Sequence, residues 1–103
     1  MSQPLRDRVI AALRGVYDPE IPVNIYDLGL VYELDVDEAE HSVHLRMTLT
    51  APGCPVAQTF PEVVATAVEQ VEGIDAVDVD LVWEPPWSKE RMSEAARVQL
   101  GLA

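Results

Sequence analysis

Two stretches of apolar–polar alternation, separated by a short and largely polar link, confine this chain to folds built on an antiparallel hairpin with one oily face. Residues 30–37 place Leu30, Tyr32, Leu34 and Val36 on one side and Val31, Glu33, Asp35 and Asp37 on the other. Residues 43–50 oppose Val43, Leu45, Met47 and Leu49 to His44, Arg46, Thr48 and Thr50. Opposed residues in a hairpin share a face. The expected register therefore pairs Val36 with Val43, Leu34 with Leu45, Tyr32 with Met47 and Leu30 with Leu49. It also sets Glu33 against Arg46 and Asp35 against His44, both attractive cross-strand pairs.

A sheet with one apolar face needs a cover. Leu5, Val9, Leu13, Val16 and Tyr17 mark one face of a helix over residues 4–16, with Ser2 as cap and Pro4 in the first turn. Asp18-Pro19 is expected to end it, because a residue before proline is pushed out of the α region. Phe60, Val63, Val64, Ala67, Val68 and Val71 give the strongest helical periodicity, and Gly73 is placed to stop that helix. Two starts are compatible with the sequence. Pro55 can be the first helical residue, with Pro61 bending the second turn, or Thr59 can cap a helix whose Glu62 completes a capping box. A third strand follows, with Val77, Val79, Leu81 and Trp83 inward and Asp78 and Asp80 outward. Residues 88–100 read as a short helix ending at Gly101.

The expected fold is an α+β two-layer sandwich of order α-β-β-α-β-α, a small mixed three-stranded sheet covered on one face by two helices. The second helix returns the chain, so the third strand runs parallel to the second, beside either the first or the second. At 103 residues the chain is expected to form one domain over residues 1–103.

Charge narrows the partners. Lysine and arginine number 7 against 18 aspartates and glutamates, a net charge of -11. That balance disfavours nucleic acid, whose phosphates need clustered cations. No apolar run approaches the roughly 20 residues a bilayer span requires, and the N-terminus carries no basic region followed by an apolar block, so no signal peptide is expected. A single cysteine, Cys54, excludes an internal disulfide and fits a reducing cytoplasm.

The topology brings the unusual residues together. Residues 18–29 enter the first strand, Thr50-Ala51-Pro52-Gly53-Cys54-Pro55 leaves the second, and Trp83-Glu84-Pro85-Pro86-Trp87 leaves the third. All three proline-rich segments are expected at one rim, with His41 at the opposite end. Cys54 just before a helix would face unpaired N–H groups that favour thiolate, while Asp18, Glu20 and Asp27 oppose it. From composition alone it reads equally as a small buried apolar residue. One cysteine cannot complete a structural zinc or cluster site, which leaves coordination shared across a homodimer or with a partner protein open. A Cys54–histidine dyad is disfavoured, since the strand from His44 to Thr50 alone covers about 20 Å against a hydrogen-bond reach of about 3 Å. The histidines read as surface residues.

On local grounds Asp18 caps a turn and Glu20 is solvated; functionally, both form a polar pocket opposite Cys54. Asp27-Leu28-Gly29 reads as a structural turn with Asp27 binding backbone amides. Thr48 and Thr50 read as outward strand residues, Trp83 and Trp87 as packing residues, and the acidic outer face as a solvated surface.

Three motifs in order carry a resemblance. Asp18-Pro19-Glu20-Ile21-Pro22-Val23-Asn24-Ile25-Tyr26-Asp27-Leu28-Gly29-Leu30-Val31-Tyr32, then Met47-Thr48-Leu49-Thr50-Ala51-Pro52-Gly53-Cys54-Pro55, then Val82-Trp83-Glu84-Pro85-Pro86-Trp87 with Met92-Ser93 and Leu100-Gly101 resemble the signatures of SufT-like and PaaD-like iron–sulfur assembly factors. The resemblance covers nearly the whole chain. It implies a two-layer α/β domain that is not an enzyme and that matures iron–sulfur proteins, delivering clusters to apo-proteins. Its implied partners are the cluster assembly machinery and apo iron–sulfur clients. It implies Cys54 as the functional thiol and transient ligand of a cluster or iron, with no stably bound cofactor. Asp18, Glu20 and Thr50 would line the pocket, with Asp27 and Thr48 in support.

PaaD-like members, dedicated to a phenylacetyl-CoA-type oxygenase, typically add a cysteine-rich segment. The lack of a second cysteine here favours the SufT-like branch and removes any expectation of an autonomous zinc site. The dedicated role, and an adaptor in which Cys54 is structural, are the alternatives. Relatives in which a helix runs on from the Cys-Pro pair contrast with Pro61 here.

Overall fold

The computed structural model describes residues 4–18, 21–50 and 59–101. Its elements run α1 (Leu5–Leu13), β1 (Val31–Asp37), β2 (Ser42–Met47), α2 (Phe60–Glu69), β3 (Ala76–Leu81), a single 3-10 turn (Lys89–Arg91) and α3 (Glu94–Gln99). The sheet order is β1-β2-β3, with β1 antiparallel and β3 parallel to β2. The third strand thus lies beside the second, making β2 central. This is the expected small α+β domain with a mixed three-stranded sheet.

Burial follows the alternation that predicted it. Val43, Leu45 and Met47 of β2 face a core shared with Leu5, Val9 and Leu13 of α1 and Phe60, Val64 and Val68 of α2, all buried. Leu34, Val36, Val77, Val79 and Leu81 pack against it from the flanking strands. Glu33, Asp35, Arg46, Asp78 and Asp80 stay exposed.

The hairpin register matches expectation over most of its length: Val36 opposes Val43, Asp35 opposes His44, Leu34 opposes Leu45 and Glu33 opposes Arg46. It then departs. A bulge between Val31 and Glu33 makes Val31, not Tyr32, the partner of Met47. An extra residue on one strand switches which side chain faces the partner. Val31 therefore packs against the core and Tyr32 does not. Leu30 receives no Leu49 partner, because its carbonyl accepts the Thr48 N–H at 2.9 Å.

Other corrections share one cause, that long-range backbone pairing ends local periodicity early. Helix α1 stops at Leu13 rather than at residue 16, since Tyr17 bridges Asn24 and the Val16 carbonyl accepts the Ile25 N–H at 2.8 Å. Tyr17 leaves the helical face and is 58% exposed. Strand β2 ends at Met47, after which Thr48 and Leu49 are both buried and the alternation is lost. Trp83 lies beyond the end of β3 and is among the exposed large apolar residues rather than inward. Helix α2 begins at Phe60 with Thr59 at the N-cap position and Pro61 in its first turn, the second of the two expected starts. Among the described residues no side-chain hydrogen bond caps the helix at Thr59, so the expected capping box is not seen there. Ser2, expected to cap α1, lies outside the described residues; Pro4 holds the N-cap position.

Candidate functional site

The segment entering β1 is a tight excursion folded by its own polar side chains. Tyr17 and Asn24 form an antiparallel bridge, and the Asp18 N–H donates to the Val23 carbonyl at 3.1 Å. The Asp18 carboxylate, buried at 6% exposure, accepts the Ile21 N–H at 2.7 Å. A carboxylate bonded to a backbone N–H three residues on holds a turn that would otherwise leave a donor unsatisfied. Asp18 is thus both buried and architectural.

Asp27 departs from the expected role. Among the described residues its carboxylate binds no backbone amide but accepts from Asn24 Nδ2 at 2.9 Å and faces Arg14 Nε at 3.7 Å. Its own N–H donates to Asn24 Oδ1 at 2.9 Å, so Asn24 and Asp27 clasp each other across the turn. Arg14 also stands over the Tyr26 ring, 5.1 Å from its centre. The turn finishes at Gly29, where φ is +79°.

The segment leaving β3 packs onto that turn, as the rim expectation requires. Trp87 Nε1 donates to the Leu28 carbonyl at 2.7 Å, which makes Trp87 a packing residue. The Ser93 N–H donates to the Asp27 carbonyl at 2.8 Å. Tyr32 reaches across, its hydroxyl donating to the Pro85 carbonyl at 2.7 Å, with the Arg91 guanidinium 4.4 Å from its ring centre. Burial pushes the Tyr32 phenol above its usual value, opposed by Arg91 and reinforced by Glu84. Ser93 also caps α3, its hydroxyl accepting the Ala96 N–H. These couplings between residues far apart in the chain leave no local signal, so Arg91 is not anticipated from the sequence, and Pro85 and Ser93 stand out there only as members of the third motif, without these roles.

Two of the three expected rim segments are therefore joined. The third leaves β2 through Thr48 and Thr50. Thr48 is fully buried, not on the outer face, because the strand pairing has already ended before it. Its N–H is tied to Leu30, but its hydroxyl has no hydrogen-bond partner among the described residues. Thr50 is half-buried. Cys54 and Glu20, the remaining predicted site residues, lie outside the described residues.

At the far end His41, with φ of +55°, accepts the Asp75 N–H on its carbonyl at 2.7 Å, and its Nδ1 donates to the Gly73 carbonyl at 3.1 Å. His41 is exposed, as a surface residue should be, and it also locks the start of β3. None of the described helices is long and apolar enough to cross a membrane.

Comparison with known proteins turns this fold and rim into a family. The chain matches the family described as iron–sulfur cluster assembly protein over residues 6–81. It is 53% identical over 93 residues to an Fe-S protein maturation auxiliary factor of Porphyromonas gingivalis, covering 90% of this chain and 88% of that one. It is 39% identical over 102 residues to the Fe-S protein maturation auxiliary factor YitW of Bacillus subtilis, covering 99% of each. Among solved structures, a domain of unknown function from Bacillus anthracis superposes with a TM-score of 0.85 at 39% identity, covering 96% of this chain and 93% of that one. This chain belongs to the iron–sulfur cluster assembly protein family.

Proposed function

We propose that this protein is an auxiliary factor in iron–sulfur protein maturation, acting through Cys54 and an acidic pocket made with Asp18, Glu20 and Thr50. The observation that carries the reading is the near full-length match to the maturation factor from Porphyromonas gingivalis. The rim supports it. Asp18 is buried at the end of the sheet toward which Thr48 and Thr50 carry the chain, and the loop holding it is braced by Trp87 and Ser93.

The chemistry is ligand exchange. Cys54 gives up its thiol proton to solvent and, as thiolate, displaces a cysteinate of the assembly machinery from an iron of the cluster, the departing thiolate taking up a proton. A client cysteinate then replaces it on that iron, and the Cys54 thiolate is reprotonated. Oxidation states are unchanged, so no reductant is needed. The cluster is cargo, and the partners are the assembly machinery and apo iron–sulfur clients in the cytoplasm.

The test is aconitase activity in cells lacking this protein, complemented with wild type or Cys54→Ser and normalised to aconitase abundance. Activity lost on deletion and restored by wild type, but not by a folded Cys54→Ser variant, is expected. Full restoration by Cys54→Ser would remove the thiol from the mechanism and leave an adaptor. Unchanged activity on deletion, under iron-limited and oxidising growth, would overturn the general role in favour of one dedicated client.

A further inference from the structure

We propose that the solvent face of the sheet carries a cation site of its own, in which His44 Nε2 and the carboxylates of Asp78 and Asp80 bind one exchangeable divalent first-row transition ion. Nothing in it depends on Cys54 or on the rim.

The sheet register builds the donor set. His44 and Asp78 are direct partners across the parallel β2–β3 ladder, and Asp80 stands two residues further along β3. Side chains two apart in a strand share a face, so all three project from the surface the helices leave bare. His44 Nε2 lies 2.8 Å from Asp80 Oδ2 and 3.7 Å from Asp78 Oδ2. One ligand atom from each residue falls within 4.8 Å of the other two. Zinc with bonds of about 2.0–2.2 Å in tetrahedral geometry needs donors separated by about 3.4 Å. The two observed separations bracket that value, and small rotations of exposed side chains close the difference.

Charge and donor chemistry select the ion. Asp35 opposes His44 from β1, adding a third carboxylate around the imidazole. The nearest cation on the same strand face, Arg46, is drawn toward Glu33 at 3.6 Å. Three carboxylates surround a single imidazole, and Arg46, the register partner of Asp80 across the β2–β3 ladder, is the side-chain cation beside them that an incoming ion must compete with. An imidazole donor sets this group apart from an ordinary acidic patch. It favours zinc, iron, cobalt or nickel over magnesium or calcium, which take oxygen ligands. Three protein donors leave at least one position to water, so the ion exchanges, unlike a closed four-ligand structural site.

The proton on His44 is the competitor. Hydrogen bonding to Asp80 holds the imidazole above its ordinary value, with Asp78 and Asp35 adding to the effect and partial burial opposing it. Metal affinity should therefore fall as pH drops through that raised value, because the ring must be neutral to bind.

Calorimetric titration with Zn2+ at pH 7.5, on the full chain carrying Cys54→Ser, tests the site without thiolate interference. One Zn2+ per chain is expected, with affinity falling about ten-fold or more in His44→Gln and in Asp80→Asn, and with millimolar Mg2+ failing to displace it. In NMR spectra the His44 ring signals should move on Zn2+ addition while those of His41 stay in place. Unaltered far-UV circular dichroism of both variants confirms that they are folded. Absence of Zn2+ binding, equal affinity with and without His44→Gln in the Cys54→Ser background, or movement of the His41 signals alone would each overturn the site. None of these outcomes bears on Cys54-dependent maturation, which the complementation assay reads separately.

Discussion

Gly29→Ala should be among the most damaging single-methyl additions available in this protein. Two effects coincide there. Gly29 has φ of +79°, a region that costs an L-residue about 1–2 kcal/mol. A Cβ at Gly29 would also stand 2.2 Å from the Arg91 carbonyl oxygen and 2.8 Å from its carbon, both backbone atoms that no rotamer change can move. Overpacking of that kind costs about 1–3 kcal/mol, so the two together give a loss of about 2–5 kcal/mol. Against a typical total of about 5–15 kcal/mol, that is a large fraction. Scaled by about 4–8 °C per kcal/mol for a domain of this size, the melting temperature should fall by at least about 8 °C.

Gly73→Ala supplies the control. Gly73 has φ of +98°, but its Cβ would meet nothing closer than Leu5 Cδ1 at 3.6 Å, an ordinary contact. It carries the backbone cost without the collision. Urea unfolding of both variants, followed by far-UV circular dichroism, separates the contributions. A Gly29→Ala variant no less stable than Gly73→Ala would refute the close seating of the Arg91 segment on the Gly29 turn.

His44 should titrate with a midpoint above 6.5, measured by NMR in metal-free buffer, and Asp80→Asn should bring it down, since the Asp80 hydrogen bond is the leading cause of the upward shift. Its ion pairing then stabilises the fold fully below pH 6.5, and that contribution is lost as pH rises through the folded-state value; a midpoint at or below 6.5 would count against the pairing. Thr48→Val replaces a buried hydroxyl that lacks a partner among the described residues, and should raise stability by about 1 kcal/mol in thermal unfolding. A loss of stability there would mean that the hydroxyl is satisfied in solution.

How much of this was legible depended on the range of the cause. The pairing of Val36 with Val43 and of Leu34 with Leu45 follows from alternation alone, because one residue of slip would turn the apolar face to water. The parallel run of β3 follows from the length of α2. The bulge at Tyr32 does not, since Tyr32 is a good strand former and fits the inward pattern. Its displacement is tied to the other side of the rim, where Pro85 takes its hydroxyl and Arg91 covers its ring. The same holds for Thr48, whose burial comes from the Leu30 carbonyl pulling the chain inward after β2 has ended.

The site divides differently. The turn held by Asp18 was legible locally, the functional roles only through the motifs, and the structure gives Asp18 and Asp27 a structural duty besides any functional one. Asp18 holds the Ile21 amide, and Asp27 clasps Asn24 and faces Arg14. Removing either carboxylate therefore disturbs the loop before it can report on chemistry, so lost maturation in such a variant would not distinguish a pocket from a scaffold. Thr48 is the exception. With no bond made by its hydroxyl among the described residues, Thr48→Val leaves the fold's own hydrogen bonds intact. A variant that is more stable yet matures clients poorly would assign the hydroxyl to function, because a purely structural role moves stability and activity together.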